Sequence, residues 1–277
     1  DYGSFTRAGE ALGYTQSGVT QMMKALEKEV GFSLFIKGKK GAALTPEAQS
    51  LIPAVRALLS ADEVVRQEIS ALKGAPTGTI TIGTYLSCSI HWIPEIIQKF
   101  QESHPNIVFK VIEGAEDDLP DWIQERRVDI GFLSHQEGHH YQFLPVMDDE
   151  LFAVLPKGHP LEEYDAIPMK KFSGAPFVTT EYAPGSDIYR ILKEFQLKPD
   201  IRFLSINEFS VLSMVEHGLG ITILPGLLLR GHSGNFVKRR LEPRSFRRLG
   251  LGYSSYDDLS PASRIFLEYA KSFLLDD

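Results

Sequence analysis

At 277 residues, 43% hydrophobic and 23% charged, the chain has room for two or three domains of ordinary globular composition. No apolar run approaches the ~20 residues that span a bilayer, and the single cysteine, Cys88, excludes an internal disulfide and fits a reducing cytoplasm. The formal charge of −7 argues against a protein coated throughout for nucleic acid, but residues 1–44 run the other way, with six basic and four acidic groups.

That basic end opens with two short helical patterns. Ser4 is placed to cap the first, and Phe5, Ala8, Ala11 and Leu12 recur at the spacing of one buried face. Gly13 ends it and Thr15 caps the next helix, whose apolar side is Val19, Met22, Met23, Leu26 and Val30. The opposite side carries Gln16, Thr20, Gln21, Lys24 and Lys28. Two helices across a tight turn are the layout of a helix-turn-helix, in which the first turn of the second helix, here Gln16, Ser17 and Thr20, meets base edges in double-stranded DNA. Two short extended runs, 34–36 and 42–45, then flank Lys37-Gly38-Lys39-Lys40-Gly41. They predict a hairpin, and its lysines make it a wing suited to lie along phosphates.

Residues 45–74 read as one long helix, with Thr45 as cap, Pro46 at the first helical position and Pro53 inside the run as a kink. Its apolar residues, among them Leu51, Val55, Leu58, Val65 and Ile69, need a partner, and a second copy of the same helix is the simplest one. Gly74-Ala75-Pro76-Thr77-Gly78 reads as a hinge.

From 79 onward strands and helices alternate. Strands are predicted at 79–84, 107–112 and 128–133, with helices at 90–102 and 119–125 between them, which is a βαβαβ unit with a parallel sheet. A strand at 151–156 leaves this unit. A second unit follows, with strands at 177–180, 201–204 and 220–225 and helices at 187–195 and 209–216. A strand at 249–253 returns to the first unit, and a helix at 261–274 closes the chain.

The N-terminal pattern closely resembles the LysR-type transcriptional regulators. The likeness runs through Gly3-Ser4-Phe5-Thr6-x-Ala8, Leu12, Thr15-Gln16-Ser17-x-Val19-Thr20, Leu26-Glu27, Gly31-Phe32-x-Leu34-Phe35 and Leu44-Thr45-Pro46-Glu47-Ala48. Farther on it is carried by Gly83-Thr84, Asp129-Ile130-Gly131 and Gly218-Leu219-Gly220-Ile221-x-x-Leu224-Pro225. Gly9 and Gly18 stand where the family favours alanine, and the family has a helix ahead of residue 1, so the resemblance implies a first domain lacking part of its core. It also implies the whole α/β plan: a winged helix-turn-helix at 1–44, a linker and dimerisation helix at 45–74, and an effector domain of the periplasmic-binding-protein-like type. That domain has one subdomain at 79–148 and 250–277 and the other at 149–249. The function implied is ligand-responsive, sequence-specific transcriptional regulation by a dimer or tetramer in the cytoplasm, with DNA and a small molecule as partners, no membrane and no resident cofactor.

Ligands of open parallel sheets bind beyond the carboxyl ends of the strands. Those ends predict a cleft lined by Thr84, Tyr85, Leu86, Ser87, Ser89, Leu133, Ser134 and His135 from the first unit. The second unit adds Thr179, Thr180, Ser186 and Asn207. Ser87 and Ser186 precede helices, so two helix N-termini converge on the cleft and favour an anion, most simply a carboxylate. No arginine falls at the predicted strand ends, which points to a small ligand of low charge. Arg239, Arg240, Arg244, Arg247 and Arg248 read as a solvated basic face. His135, His139 and His140 read as part of a surface loop, and Cys88 beside His91 lacks the orienting group that a nucleophilic cysteine needs, leaving redox sensing as its minor alternative. The competing interpretation of the chain is a solute-binding or small-molecule-processing α/β protein whose N-terminal helices only dimerise it.

Overall fold

The structure is a computed structural model that describes residues 2–38, 41–73, 77–136, 138–180, 186–205 and 207–276. The chain divides into two units, Asp1–Leu59 and Ser60–Asp277.

The first unit holds α1 (Phe5–Leu12), α2 (Gln16–Val30), β1 (Phe35–Gly38), β2 (Gly41–Leu44) and the start of α3 (Pro46–Leu72). Gly13 ends α1 at φ 74°, and Gly31 ends α2 at φ 85°, left-handed conformations that glycine adopts without a Cβ penalty. Thr15 caps α2 by accepting a hydrogen bond from the Gly18 N–H at 3.1 Å. Ser4 occupies the cap position of α1, but its hydroxyl makes no capping bond. The buried face of α1 differs from the predicted one. Gly9 is buried, while Ala11 and Leu12 are exposed. The cause is a close approach: a Cβ on Gly9 would stand 2.7 Å from the Tyr14 carbonyl oxygen, so the turn into α2 packs against the bare glycine.

β1 and β2 form the predicted antiparallel hairpin, with Phe35 opposite Leu44 and Gly38 opposite Gly41. Glu27 ties α2 to it, its Oε1 accepting from the Leu34 and Phe35 N–H groups at 2.7 and 3.3 Å. Phe5 and Phe35 meet edge to face at 5.0 Å, and Thr45 caps α3 through the Ala48 N–H. Pro53 is accommodated inside α3, which runs continuously from Pro46 to Leu72. The predicted hinge residues Gly74, Ala75 and Pro76 lie outside the described residues.

In the second unit come β3 (Gly78–Thr84), α4 (Leu86–His91), α5 (Ile93–Ser103), β4 (Ile107–Glu113), α6 (Asp118–Gln124), β5 (Ile130–Ser134) and β6 (Gln142–Pro156). After β7 (Ala166–Pro168) follow β8 (Pro176–Thr180), α7 (Asp187–Glu194), β9 (Asp200–Ser205), α8 (Glu208–Glu216), β10 (Thr222–Pro225), α9 (Gly226–Leu229), β11 (Phe236–Tyr253) and α10 (Pro261–Asp276). The predicted helix at 90–102 is two helices, broken at Trp92. Pro94 in the first turn of α5 offers no N–H to continue the hydrogen-bond ladder of α4.

β3 pairs in parallel with both β4 and β5, as a βαβαβ unit requires. The two long strands β6 and β11 run antiparallel along each other and belong to both halves of the unit. Beyond them β10 pairs antiparallel with β6, while β8 and β9 form a parallel pair joined to this edge by the Phe177–Ile221 bridge. One core forms around Ile82, Phe100, Phe132 and Phe266, and another around Leu151, Phe172, Phe177 and Ile223. The cleft opens between them.

Candidate functional sites: a polar helix face and an acidic cleft

On α2 the exposed polar residues form a row. Gln16 Nε2 donates to Thr20 Oγ1 at 3.1 Å, and the Thr20 hydroxyl donates back to the Gln16 carbonyl at 2.8 Å. Thr15 and Ser17 hydroxyls lie 3.1 Å apart at the helix start, and Gln21 and Lys24 continue the row into solvent. Val19, facing the other way, is buried. Lys37 is in β1, opposite Ala42, while Lys39 and Lys40 lie outside the described residues.

The cleft of the second unit is a cavity of about 660 Å³, within the ~300–1,000 Å³ range of small-molecule sites. Of the predicted lining residues it brings together Tyr85, Leu86, Ser87, Thr179, Thr180, Ser186 and Asn207. Thr84 turns inward and donates its hydroxyl to the Tyr85 carbonyl at 3.0 Å. Leu133 is core, and Ser89 sits on α4 outside the lining. Ser134 and His135 line a shallower recess beside the cavity.

Sequence reasoning missed the charged groups. Arg247, read as part of a solvated face, is 5% exposed and lines the cavity, correcting the expectation of a cleft without arginine. Its Nε donates to Asp149 Oδ2 at 2.9 Å, and one Nη donates to Ser87 Oγ at 2.7 Å. Asp149, 2% exposed, also accepts the Leu227 N–H at 2.8 Å where α9 begins. Ser87 is thus a partner of the guanidinium rather than a helix cap. Over 244–249 of β11 burial alternates: Ser245, Arg247 and Leu249 are buried, whereas Arg244, Phe246 and Arg248 are exposed. The outer arginines pair with acids of β6, Arg244 with Glu150 and Arg248 with Asp148.

Facing Arg247 is a ring of acids. Glu113, Glu116 and Asp117 come from the end of β4 and the loop after it, and Asp118, Asp187 and Glu208 from the starts of α6, α7 and α8. Ser186 caps α7, accepting from the Tyr189 N–H at 3.1 Å, and Asn207 caps α8 through Phe209 and Ser210. The free N–H at the start of α7, on Asp187, already donates to Glu116 Oε2 at 2.6 Å across the cleft. The place expected for a ligand's carboxylate is therefore held by one of the protein's own. Burial, with Asp187 beside it, raises the Glu116 carboxyl well above its ordinary range. Burial likewise raises Glu208.

Cys88 is fully buried, and desolvation pushes its thiol up to about 12 despite nearby Arg247. Burial of this kind disfavours the thiolate that a nucleophile or redox sensor needs. Among the described residues no cluster of His, Cys, Asp and Glu is placed to hold a metal ion, and no helix is long and apolar enough to cross a membrane.

The family model described as the LysR substrate binding domain matches residues 73–274, and that of the bacterial regulatory helix-turn-helix protein, LysR family, matches residues 1–49. The uncharacterized HTH-type transcriptional regulator YvbU of Bacillus subtilis is 30% identical over 275 residues, covering 97% of this chain and 93% of that one. A point variant of full-length OxyR from Pseudomonas aeruginosa superposes with a TM-score of 0.73 at 19% identity, over 98% of this chain and 92% of that chain. The effector binding domain of QuiR, solved in complex with shikimate, gives 0.63 at 25% identity, over 71% and 97%.

Proposed function

The chain belongs to the LysR family of DNA-binding transcriptional regulators and carries that family's effector-binding domain; from this premise we propose how its own residues divide the work. Gln16, Ser17, Thr20 and Gln21 read base edges, because only they combine donors and acceptors on the exposed side of α2. Lys24, Lys37, Lys39 and Lys40 neutralise phosphates and set the salt dependence. Leu58 and Val65, at 71% and 57% exposure on α3, are the contact through which copies associate, as a dimer or tetramer. The protein acts on cytoplasmic DNA and has no catalytic step of its own.

The observation that carries the ligand response is the cavity between the two cores of the second unit, walled by α4 and the β4 loop on one side and by α7, α8 and β10 on the other. A small molecule held by both walls stabilises one arrangement of them over another, by no more than its difference in affinity for the two. Selection of bound duplexes from a random pool, using the full chain, tests the reading. A pair of half-sites should be enriched, and small molecules that raise Tm should change occupancy of the selected duplex. Enrichment of nothing beyond the input pool would overturn it.

A further inference from the structure

The cleft has a charge that its family membership does not specify. Among the described residues six carboxyl groups line it against one guanidinium, and that guanidinium is engaged by Asp149 and Ser87. Three polar atoms in the lining, on Tyr85, Asp117 and Asp187, lack partners among the described residues. Asp187 Oδ2 accepts no hydrogen bond, with Arg247 Nη1 at 3.9 Å, whereas Arg190 reaches the other carboxylate oxygen at 3.4 Å; the residue is only 7% exposed. The Tyr85 hydroxyl, on a residue 5% exposed, makes no hydrogen bond either. A buried carboxylate oxygen left in this state strongly favours a donor carrying positive charge.

We propose that the effector of this protein presents a protonated amine to the cleft, its ammonium donating to the Asp187 carboxylate, to the Tyr85 oxygen and to Glu116, which gives up its proton to solvent as the cation binds. This rests on the cleft being the effector site. Glu116 stands on the first wall and Asp187 on the second, so one ammonium links the two halves. Leu86, Ile188, Ile223 and Leu228 offer an apolar surface for a hydrocarbon body, which fits an organic amine better than a bare ion. A metal ion is a poor match, since no cluster of the described residues is placed to chelate one. A simple carboxylate, the expected ligand, would enter against the acidic ring and would have to displace Glu116 from the Asp187 N–H.

Thermal melting of the full chain with charge-matched probes tests this: 2-phenylethylamine, 2-phenylethanol and 3-phenylpropionate, and the set pentylamine, 1-pentanol and hexanoate. Only a ligand that binds the native state raises Tm. The amines should raise it by several degrees and the alcohols and carboxylates should not. The double variant Glu116→Gln/Asp187→Asn, nearly isosteric, should lose the amine shift. Should it fail to fold, Glu208→Gln must at least reduce the shift. A larger shift with a carboxylate or alcohol, no shift with any probe, or an amine shift undiminished in the variants would each overturn the proposal. Duplex binding by the same preparation separates the two readings. Bound DNA with a carboxylate-driven shift leaves a regulator whose ligand is anionic, whereas an amine shift without DNA binding would sink the regulatory reading alone.

Discussion

In the N-terminal unit the polar side chains of α2 stand in solvent and bond mostly to their own helix, over a small core in which, among the described residues, Val19, Leu34 and Ala48 are the buried apolar side chains. In the C-terminal unit the decisive polar groups are buried and bond across the sequence, Arg247 to Asp149 and Ser87, Glu116 to Asp187. A surface made to meet phosphates and bases is best left open, because its partner supplies the missing hydrogen bonds. A cavity that must recognise one small molecule needs its groups fixed beforehand, and the fixing groups become part of the stability of the fold. Perturbation should therefore cost stability in one unit and recognition in the other.

The largest effect should come from Arg247→Met. Asp149 would keep the Leu227 N–H but lose its counter-charge in a site 2% exposed. Breaking a buried ion pair from one side typically costs about 3–5 kcal/mol. Both tryptophans, Trp92 and Trp122, lie in the second unit, so their fluorescence in urea reports that unit alone. A loss below about 1 kcal/mol would show that the guanidinium does not hold this wall together. DNA affinity, carried by the other unit, should change little.

Gly9→Ala tests the smaller core. The added Cβ would meet the Tyr14 carbonyl at 2.7 Å, and backbone cannot yield as a side-chain tip does. Overpacking of this kind costs about 1–3 kcal/mol, set against a helix-propensity gain of about 1 kcal/mol for replacing glycine. A net loss in the far-UV circular dichroism transition of the first unit is expected, with unchanged tryptophan fluorescence. A net gain would mean that the turn relaxes freely.

The same contrast explains what was legible beforehand. Thr15 and Gly13 act within a few residues of themselves, so their roles followed from local pattern. The order of strands and helices in the second unit followed from their alternation along the chain, although only the ends of β6 and β11 were predicted, and the lining residues Tyr85, Ser87, Thr179 and Ser186 followed from their places at strand ends. Arg247 did not, because it lies within a long strand and its role depends on Asp149, 98 residues away. Glu116 and Asp187, 71 apart, were hidden for the same reason. Leu12 and Ala11 went the other way: helical spacing marked them for burial, but the glycine-backed turn took the inner position.

Thr20→Val should affect recognition without affecting folding. Valine keeps the shape but removes the hydroxyl that accepts from Gln16 Nε2 and donates to the Gln16 carbonyl. Gln16 is then free to turn, and discrimination at the base it reads should fall by about 1 kcal/mol, the low end of what a mismatched pair costs. Competition between selected and scrambled duplexes measures this. Lys24→Ala, by contrast, should weaken both duplexes alike and lower the salt slope by about one. If Thr20→Val weakened both duplexes equally, Gln16 would not be reading sequence.

The smallest effect at neutral pH, and the most specific, is expected from Asp129→Asn. Asp129 Oδ2 accepts the Thr81 N–H at 2.7 Å, and the Asp129 N–H donates back to the Thr81 carbonyl at 2.8 Å, tying the entry of β5 to β3. Burial pushes this carboxyl up from 3.8 to about 6. A raised acid takes up its proton in the folded state first, so its contribution to stability grows as pH falls from about 6 towards 3.8 and is lost as pH rises through about 6. Asparagine offers the same oxygen to Thr81 but does not titrate. At neutral pH the exchange of a strained charge for a weaker neutral hydrogen bond should leave stability within about 1 kcal/mol. The difference in Tm between variant and wild type should become more positive from pH 4 to pH 7, with its main change inside the window between 3.8 and about 6. A difference that stays constant across that window would show that Asp129 titrates alike in the folded and unfolded chain, and that its bond to Thr81 offsets its burial.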